Sequence, residues 1–173
     1  MQPGPQVLVV PHTHWDREWY LPFAVYRHRL VALIDILLRA LDREPRLRFH
    51  LDGQMAVIDD YLEMRPHREP DIRRAAAAGR ISLGPWYTLP DEHLVSGEAL
   101  LRNLELGLAR ARELGPPMLV GYVPDQFGHT AQLPQLFCRV GIEEAVLWRG
   151  VPAGRSSCWP GRSSTNCWRM GSP

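Results

Sequence analysis

The chain has 173 residues, of which 45% are hydrophobic and 23% are charged, as in a globular protein with one core. A formal net charge of +1, with no basic run, provides no field that would attract nucleic acid or a membrane surface. All 20 basic residues are arginine, which excludes Schiff-base chemistry and any site that depends on a modified lysine.

The cysteines and the N-terminus indicate the compartment. Cys138, Cys158 and Cys167 are odd in number and lack C-x-x-C spacing, so neither a disulfide framework nor a thiolate zinc site is indicated. The N-terminal residues lack the charged and long apolar regions of a signal peptide, and no apolar run approaches the ~18 residues of a membrane span. We therefore expect a soluble cytoplasmic protein.

The first predicted element is a strand, Val7–Val10, that would be buried on both faces as in a parallel sheet. Pro11 ends it, and the chain beyond is expected to remain extended. Because side chains alternate along an extended chain, His12, His14 and Asp16 should point in the same direction. Two imidazoles and a carboxylate on one face suit a divalent metal such as zinc. A pair of surface histidines in a polar loop is the alternative interpretation.

The rest of the chain alternates helices with short strands. Amphipathic helices are predicted over about residues 30–41, 57–62, 70–79, 96–115 and 131–140. Strands are predicted at Leu47–Leu51, Ile81–Leu83, Met118–Val123 and Ala145–Leu147. The connections are long enough for right-handed crossovers, so the pattern predicts an α/β fold with a mainly parallel sheet covered by helices. Together with the first strand, these β-α units indicate a partial β/α barrel more than a finished domain.

The segment Gly154–Pro173 differs sharply in composition from the rest of the chain. It is rich in serine and arginine and contains no acid and no Leu, Ile or Val, so it cannot bury a periodic apolar face. We expect residues 1–153 to form the α/β domain and residues 154–173 to be an irregular tail. A natural disordered tail is one interpretation, and out-of-frame or otherwise unrelated sequence is the favoured one.

A second polar cluster follows the predicted strand Met118–Val123. Asp125 comes directly after Pro124, at the carboxyl edge of the sheet, where parallel α/β folds build their sites. A lone aspartate there is more often a helix cap or a turn residue. Considered with the first cluster, His14, Asp16 and Asp125 could instead form an open metal site with positions left for substrate.

Several motifs occur in a fixed order along the chain. They are P-H-T-H-W-D-R-E-W at 11–19, L-D-G-Q at 51–54, G-P-W-Y with P-D-E at 84–92, L-V-S-G-E-A-L-L-R-N-L at 94–104 and G-Y-V-P-D-Q-F-G-H at 121–129. Together they resemble the N-terminal catalytic domain of glycoside hydrolase family 38 α-mannosidases, most closely its bacterial branch. The resemblance covers roughly Val7–Pro152.

The resemblance implies a seven-stranded β/α barrel, a zinc ion and retaining hydrolysis of α-mannosides or mannose-containing oligosaccharides. Such an enzyme attacks the anomeric carbon with a carboxylate, while a second carboxyl group acts first as acid and then as base. His14 and Asp16 match the family's first two metal ligands. Asp125 matches the residue that is both metal ligand and nucleophile. Positions near the sugar-binding site are matched by Trp15, Trp86 and Asp91.

The family's fourth metal ligand, a histidine, and its general acid come from a later part of the barrel than these motifs. None of Asp52, Asp91 and His129 matches those roles. The chain is therefore expected to be an incomplete and inactive fragment of an α-mannosidase. Two other interpretations remain open. One is a metal-dependent amidohydrolase-like hydrolase, which the absence of lysine disfavours, and the other is a non-catalytic remnant that binds carbohydrate or metal.

Overall fold

The structure, a computed structural model, describes residue 7, residues 9–150 and the backbone of residues 167–169. Five α-helices lie in this part of the chain: α1 (Phe23–Arg43), α2 (Ala56–Met64), α3 (Glu69–Ala77), α4 (Gly97–Leu114) and α5 (Leu133–Arg139). A 3₁₀ turn, Pro66–Arg68, joins α2 to α3. The strands are short: β1 (Phe49–His50), β2 (Ile81–Ser82), β3 (Val120–Val123), β4 (Glu144–Leu147) and β5 (Cys167–Arg169). None of the described helices combines the length with the apolar composition that a bilayer span requires.

The predicted helices form where apolar periodicity and cap residues place them. One stripe of α1 is buried, including Leu30, Ile34 and Leu41, as its apolar spacing predicts. Ser96 caps α4 by accepting a hydrogen bond from the Ala99 N–H at 3.2 Å. This bond satisfies a donor that the first turn of a helix leaves without a helical partner. Local sequence signals therefore account for the helical layer.

The strands that pair in parallel are consecutive along the chain. β1 pairs with β2 and β3 pairs with β4, in both cases in parallel. Single parallel bridges extend this row and join His12 to His50, Gln54 to Trp86 and Leu83 to Pro117. The fold is therefore α/β with small parallel sheets and helices, as predicted. The described strands form two sheets and not one continuous sheet.

The prediction of a buried strand at Val7–Val10 is wrong at the positions that the structure describes. The described valines lie outside any strand and are between 66% and 85% exposed. The chain pairs with β1 only after these valines. There the His50 N–H donates to the Pro11 carbonyl (3.0 Å) and the Thr13 N–H donates to the His50 carbonyl (3.2 Å). A run of valines is buried only where neighbours cover both faces, and periodicity does not reveal whether they do.

The prediction of an irregular tail at Gly154–Pro173 is wrong for one short stretch. The backbone of Cys167–Arg169 forms β5, which lies antiparallel to β4 with Glu144 opposite Arg169. Backbone pairing requires no apolar periodicity, so the composition of the tail does not indicate it. The rest of the tail, including the boundary predicted after residue 153, lies outside the described residues.

Two apolar clusters support the polar ends of the strands. One packs α1, α2 and α3 against β1 and β2, and the other joins α4 and α5 to β3 and β4 around Trp86. The turn Gly84–Tyr87 lies against α4 at Gly107. A Cβ built at Gly107 would lie 2.2 Å from the Trp86 carbonyl carbon and 2.3 Å from the Pro85 carbonyl oxygen. Only glycine lets the helix and the turn approach this closely.

We predict that Gly107→Ala destabilises the chain by about 1–3 kcal/mol or more, because the added methyl group meets backbone atoms that cannot rotate away. Gly97→Ala in the same helix is the matched control, since a Cβ there would meet no atom within 4 Å. Alanine also favours a helix over glycine by up to ~1 kcal/mol. Urea unfolding measures the difference. Equal stability of the two variants would contradict the close packing of α4 on the turn.

Candidate functional site

Two buried carboxylates hold the segment that carries the first predicted ligands. Arg17 forms a bidentate ion pair with Asp60 of α2, with nitrogen–oxygen distances of 2.7 and 2.8 Å. The Trp15 N–H donates to Asp52, which follows β1, at 2.7 Å. The segment is thereby tied to both β1 and α2. His14 directly precedes Trp15, so its backbone position is well defined.

Asp52 also fixes the orientation of the His14 ring. Its side chain is fully buried, and its Oδ1 lies 3.2 Å from His14 Nδ1. The other carboxylate oxygen accepts hydrogen bonds from the Trp15 N–H (2.7 Å) and from Gln54 Nε2 (2.9 Å). With Nδ1 against this carboxylate, His14 Nε2 faces away from β1, toward the two predicted carboxylate ligands.

The structure brings His14, Asp16 and Asp125 together. His14 Nε2 lies 3.3 Å from Asp125 Oδ2 and 3.7 Å from Asp16 Oδ1. The three side chains are 37%, 42% and 40% exposed, for His14, Asp125 and Asp16 in turn, so a ligand can reach them from solvent. Their meeting follows from the fold, because Asp125 follows β3 and the other two follow the parallel bridge to β1. His12 instead directs its Nδ1 at the Thr13 carbonyl, 3.1 Å away.

Arg149 belongs to the same group and is a residue that sequence reasoning missed. It follows β4, and its guanidinium forms an ion pair with Asp125 Oδ1. Its Nε donates to the Asp125 carbonyl at 3.2 Å, and its guanidinium carbon lies 4.2 Å from the centre of the Phe127 ring. Arg149 thus holds one Asp125 oxygen while the other faces His14. The signal that could have found it is its place directly after a predicted strand.

The donor set fits zinc in chemistry and nearly in spacing. Zinc takes imidazole nitrogen and carboxylate oxygen, and bonds of about 2.0–2.1 Å place neighbouring tetrahedral ligands about 3.3 Å apart. The His14–Asp125 separation is 3.3 Å, and the His14–Asp16 separation is longer, at 3.7 Å. Across the part of the chain that the structure describes, no three His, Cys, Asp or Glu side chains are arranged as a finished metal site.

The surrounding carboxylates make His14 strongly basic. The hydrogen bond with Asp52 is the main reason that the pKa of His14 is raised to about 9; partial burial lowers it, and the charges of Asp16 and Asp125 add to the increase. At neutral pH the ring therefore carries a proton on each nitrogen. A cation that binds Nε2 must displace one of these protons, so its affinity falls as the pH is lowered.

A cleft of about 330 Å³ opens beside His14 and Asp16. Trp15 lines it and is half-buried, and its ring lies edge-to-face against Tyr26 with the ring centroids 6.1 Å apart. Gln54 also lines the cleft and donates from Nε2 to the Trp15 carbonyl at 3.0 Å. One aromatic wall beside polar groups suits a ligand that has both C–H faces and hydroxyl groups.

Unlike Trp15, the other two residues predicted to lie near the substrate, Trp86 and Asp91, are not lining residues of this cleft. Trp86 is fully buried, with its ring centroid 5.6 Å from that of Phe137. Its indole N–H donates to the Tyr122 carbonyl at 2.9 Å. No face of the ring is open to a sugar, and Trp86 is a core residue in this structure. Asp91 lies in a turn, where its carbonyl accepts from the Leu94 N–H at 3.0 Å.

A buried ion pair fastens the loops behind Asp125. Glu92, which is 1% exposed, accepts from His129 Nδ1 at 2.7 Å and from the Thr130 N–H at 2.8 Å. His129 Nε2 donates to the Arg149 carbonyl at 2.9 Å. Burial lowers the pKa of His129, but the hydrogen bonds with Glu92 and with the Arg149 carbonyl outweigh it and raise the pKa. The loops that follow β2, β3 and β4 are therefore joined through one histidine.

Comparison with known proteins places the chain in a family. Residues 4–170 match the glycosyl hydrolases family 38 N-terminal domain. A putative mannosylglycerate hydrolase from Halalkalibacterium halodurans is 44% identical over 149 residues, which cover 84% of this chain and 17% of that protein. Alpha-mannosidase 2x from Mus musculus is 28% identical over 149 residues, which cover 83% of this chain and 13% of that protein.

A solved structure agrees with these sequence matches. The crystal structure of an alpha-mannosidase from Enterococcus faecalis V583 is similar to this chain with a TM-score of 0.80 and 40% identity, over 82% of this chain and 16% of that one. The chain thus spans less than a fifth of the length of the relatives it matches. The family match, in contrast, extends over nearly the whole chain. The chain therefore belongs to glycosyl hydrolase family 38 and corresponds to its N-terminal domain.

Proposed function

We propose that this chain is part of a zinc-dependent retaining α-mannosidase whose site lies at the carboxyl ends of the strands of a seven-stranded β/α barrel. The meeting of His14, Asp16 and Asp125 carries the proposal, because it joins the two segments that would supply metal ligands and nucleophile. Parallel pairing in chain order supports the barrel. The relatives' names support mannosides as substrates, and the bacterial relative makes mannosylglycerate a second candidate substrate.

In this proposal Asp125 is the nucleophile. One of its carboxylate oxygens bonds to the anomeric carbon while the glycosidic C–O bond breaks, and the departing oxygen takes a proton from a separate carboxylic acid. Water then attacks the anomeric carbon, gives a proton to that same acid residue and releases Asp125 as a carboxylate. The ion pair with Arg149 fixes the Asp125 carboxylate, so little reorientation is needed before attack.

His14, Asp16 and Asp125 would hold the zinc ion, with His14 Nε2 as the nitrogen ligand. When bound, the ion would coordinate neighbouring hydroxyl groups of the sugar and help to distort its ring. The cleft beside Trp15 would receive the sugar, with the indole against its C–H face. These roles leave the general acid and a further metal ligand to be supplied from outside the matched motifs.

Asp125→Asn should abolish hydrolysis, because a neutral amide is too weak a nucleophile to form the glycosyl-enzyme. We would assay a hybrid in which residues 4–150 replace the matching segment of the Halalkalibacterium halodurans relative, with an aryl α-mannoside and mannosylglycerate as substrates. We expect kcat/KM to fall by about 10³-fold or more with little change in the free energy of unfolding. Glu143→Gln, at an exposed position, is the control. An active Asp125→Asn hybrid would refute the nucleophile assignment.

Removal of zinc from the same hybrid by a chelator should abolish turnover, and added Zn²⁺ should restore it. Because the pKa of His14 is about 9 and the ion must displace the proton on Nε2, the apparent zinc affinity should rise by up to about tenfold per pH unit below that value. Chelator competition at several pH values measures this slope. Full activity in a preparation that elemental analysis shows to be free of metal would exclude zinc dependence.

The 173-residue chain on its own should show little turnover. A retaining mechanism needs two carboxyl groups, and the motifs match only the nucleophile, so the missing acid should cost about 10²–10⁴-fold relative to the hybrid. The loss should be smaller for an aryl mannoside with an activated leaving group, which needs less help from an acid. Comparison of activated and unactivated substrates tests this expectation. Robust turnover of both by the chain alone would show that one of its own residues is the acid.

A further inference from the structure

Asp52 has an unusual environment for a residue with no role in the motif-based assignment. It is fully buried and lies at φ 53°, in the left-handed region that few residues other than glycine adopt. Gly53 follows it at φ 67°. A strained, buried carboxylate persists only where surrounding contacts hold it, and such positions cluster at functional sites.

The hydrogen bonds around Asp52 determine which proton His14 carries. Oδ2 is occupied by two groups that can only donate, the Trp15 N–H and Gln54 Nε2. The amide of Gln54 is itself fixed, because its Oε1 accepts from the Leu89 N–H at 3.1 Å. Oδ1 therefore faces His14 Nδ1 as a pure acceptor. A carboxylate has no proton to give, so in the neutral ring Nδ1 must be the nitrogen that carries the hydrogen.

We propose that Asp52 is a positioning residue that selects the His14 tautomer with hydrogen on Nδ1 and so leaves the Nε2 lone pair free for a divalent cation between Asp16 and Asp125. The proposal rests on the proposed function, since it assigns a role toward the zinc ion of that site. Carboxylates commonly orient metal-binding histidines in this way. Asp52 would then act through His14 and would itself touch neither the ion nor the substrate.

A purely structural role for Asp52 is the competing explanation, because its bond to the Trp15 N–H also anchors the loop. Asp60 provides a matched comparison. It is a buried aspartate that anchors the same loop, but through Arg17 and not through His14. Loss of loop anchoring should therefore affect Asp52 and Asp60 variants alike, whereas tautomer selection depends on Asp52 alone.

Asp52→Asn should reverse the tautomer. The donors from Trp15 and Gln54 would draw the new amide oxygen toward them, so the amide NH₂ would face His14 Nδ1 and force the hydrogen onto Nε2. Asp52→Gly suits the left-handed backbone and removes the preference without imposing the wrong one. We therefore expect zinc affinity to fall by about 10–100-fold in Asp52→Asn, by less in Asp52→Gly, and to stay within about twofold in Asp60→Asn.

The experiment uses the full 173-residue chain and its three variants. Chelator competition gives the Zn²⁺ dissociation constants, the visible spectrum of bound Co²⁺ reports the ligand field, and urea unfolding reports stability. Long-range ¹H–¹⁵N spectra at alkaline pH, where His14 is neutral, identify the tautomer directly. We expect Nδ1–H in the parent chain and in Asp60→Asn, and Nε2–H in Asp52→Asn.

Each outcome decides the assignment. An Asp52→Asn chain that binds zinc as tightly as the parent, or that keeps the Nδ1–H tautomer, would overturn it. Asp52→Gly binding zinc more weakly than Asp52→Asn would also overturn it, because a structural role predicts that the isosteric change is the milder one. If the parent binds no zinc but the tautomers change as expected, the metal site of the proposed function fails while the action of Asp52 on His14 stands. If Asp52→Asn does not fold, the tautomer mixture and affinity of Asp52→Gly decide.

Discussion

Parallel pairing in chain order is the constraint on which the site depends. The segment after His12, the turn after β1, and the loops after β3 and β4 all leave the strands on the same edge because their strands or bridges run in the same direction. This shared edge brings together four residues that are far apart in sequence: His14, Asp52, Asp125 and Arg149. The short length of each strand suffices, since the helical layers and the two apolar clusters hold the strands in register.

Buried polar contacts hold in place the segments that the strands bring to this edge. The ion pair of Arg17 with Asp60 ties the segment that carries His14 to α2. Loss of Arg17 would leave the charge of the buried Asp60 without this partner, which is unfavourable and makes the pair an effective anchor. On the other side of the site, Glu92 and His129 tie the loop of Asp125 to the carbonyl of Arg149. The catalytic carboxylate of the proposed mechanism is thus held from two directions.

The sequence predicts those parts of the structure that depend on local pattern. Long apolar stripes placed the helices, and polar residues directly after strands pointed to His14, Asp16 and Asp125. Asp52 and Arg149 were missed because their roles depend on contacts across the fold, to His14 and to Asp125. Trp86 was predicted near the sugar-binding site but lies in the core. An aromatic residue beside acids gives the same sequence pattern in either place. The exposed valines before His12 show that composition alone does not supply the neighbours a strand needs.

Charge balance explains why several carboxylates can lie close together around His14. Asp16, Asp52 and Asp125 surround one imidazole, and Arg149 compensates only one of the three carboxylates. The hydrogen bond with Asp52 and the charges of these carboxylates raise the pKa of the imidazole, which therefore holds a second proton. A divalent cation at Nε2 would replace that single charge by two and balance the remaining carboxylate, so the field that retains the proton also favours the ion. Arg149 would oppose both by drawing on Asp125, so in the proposed site its ion pair would weaken the hold of Asp125 on a cation.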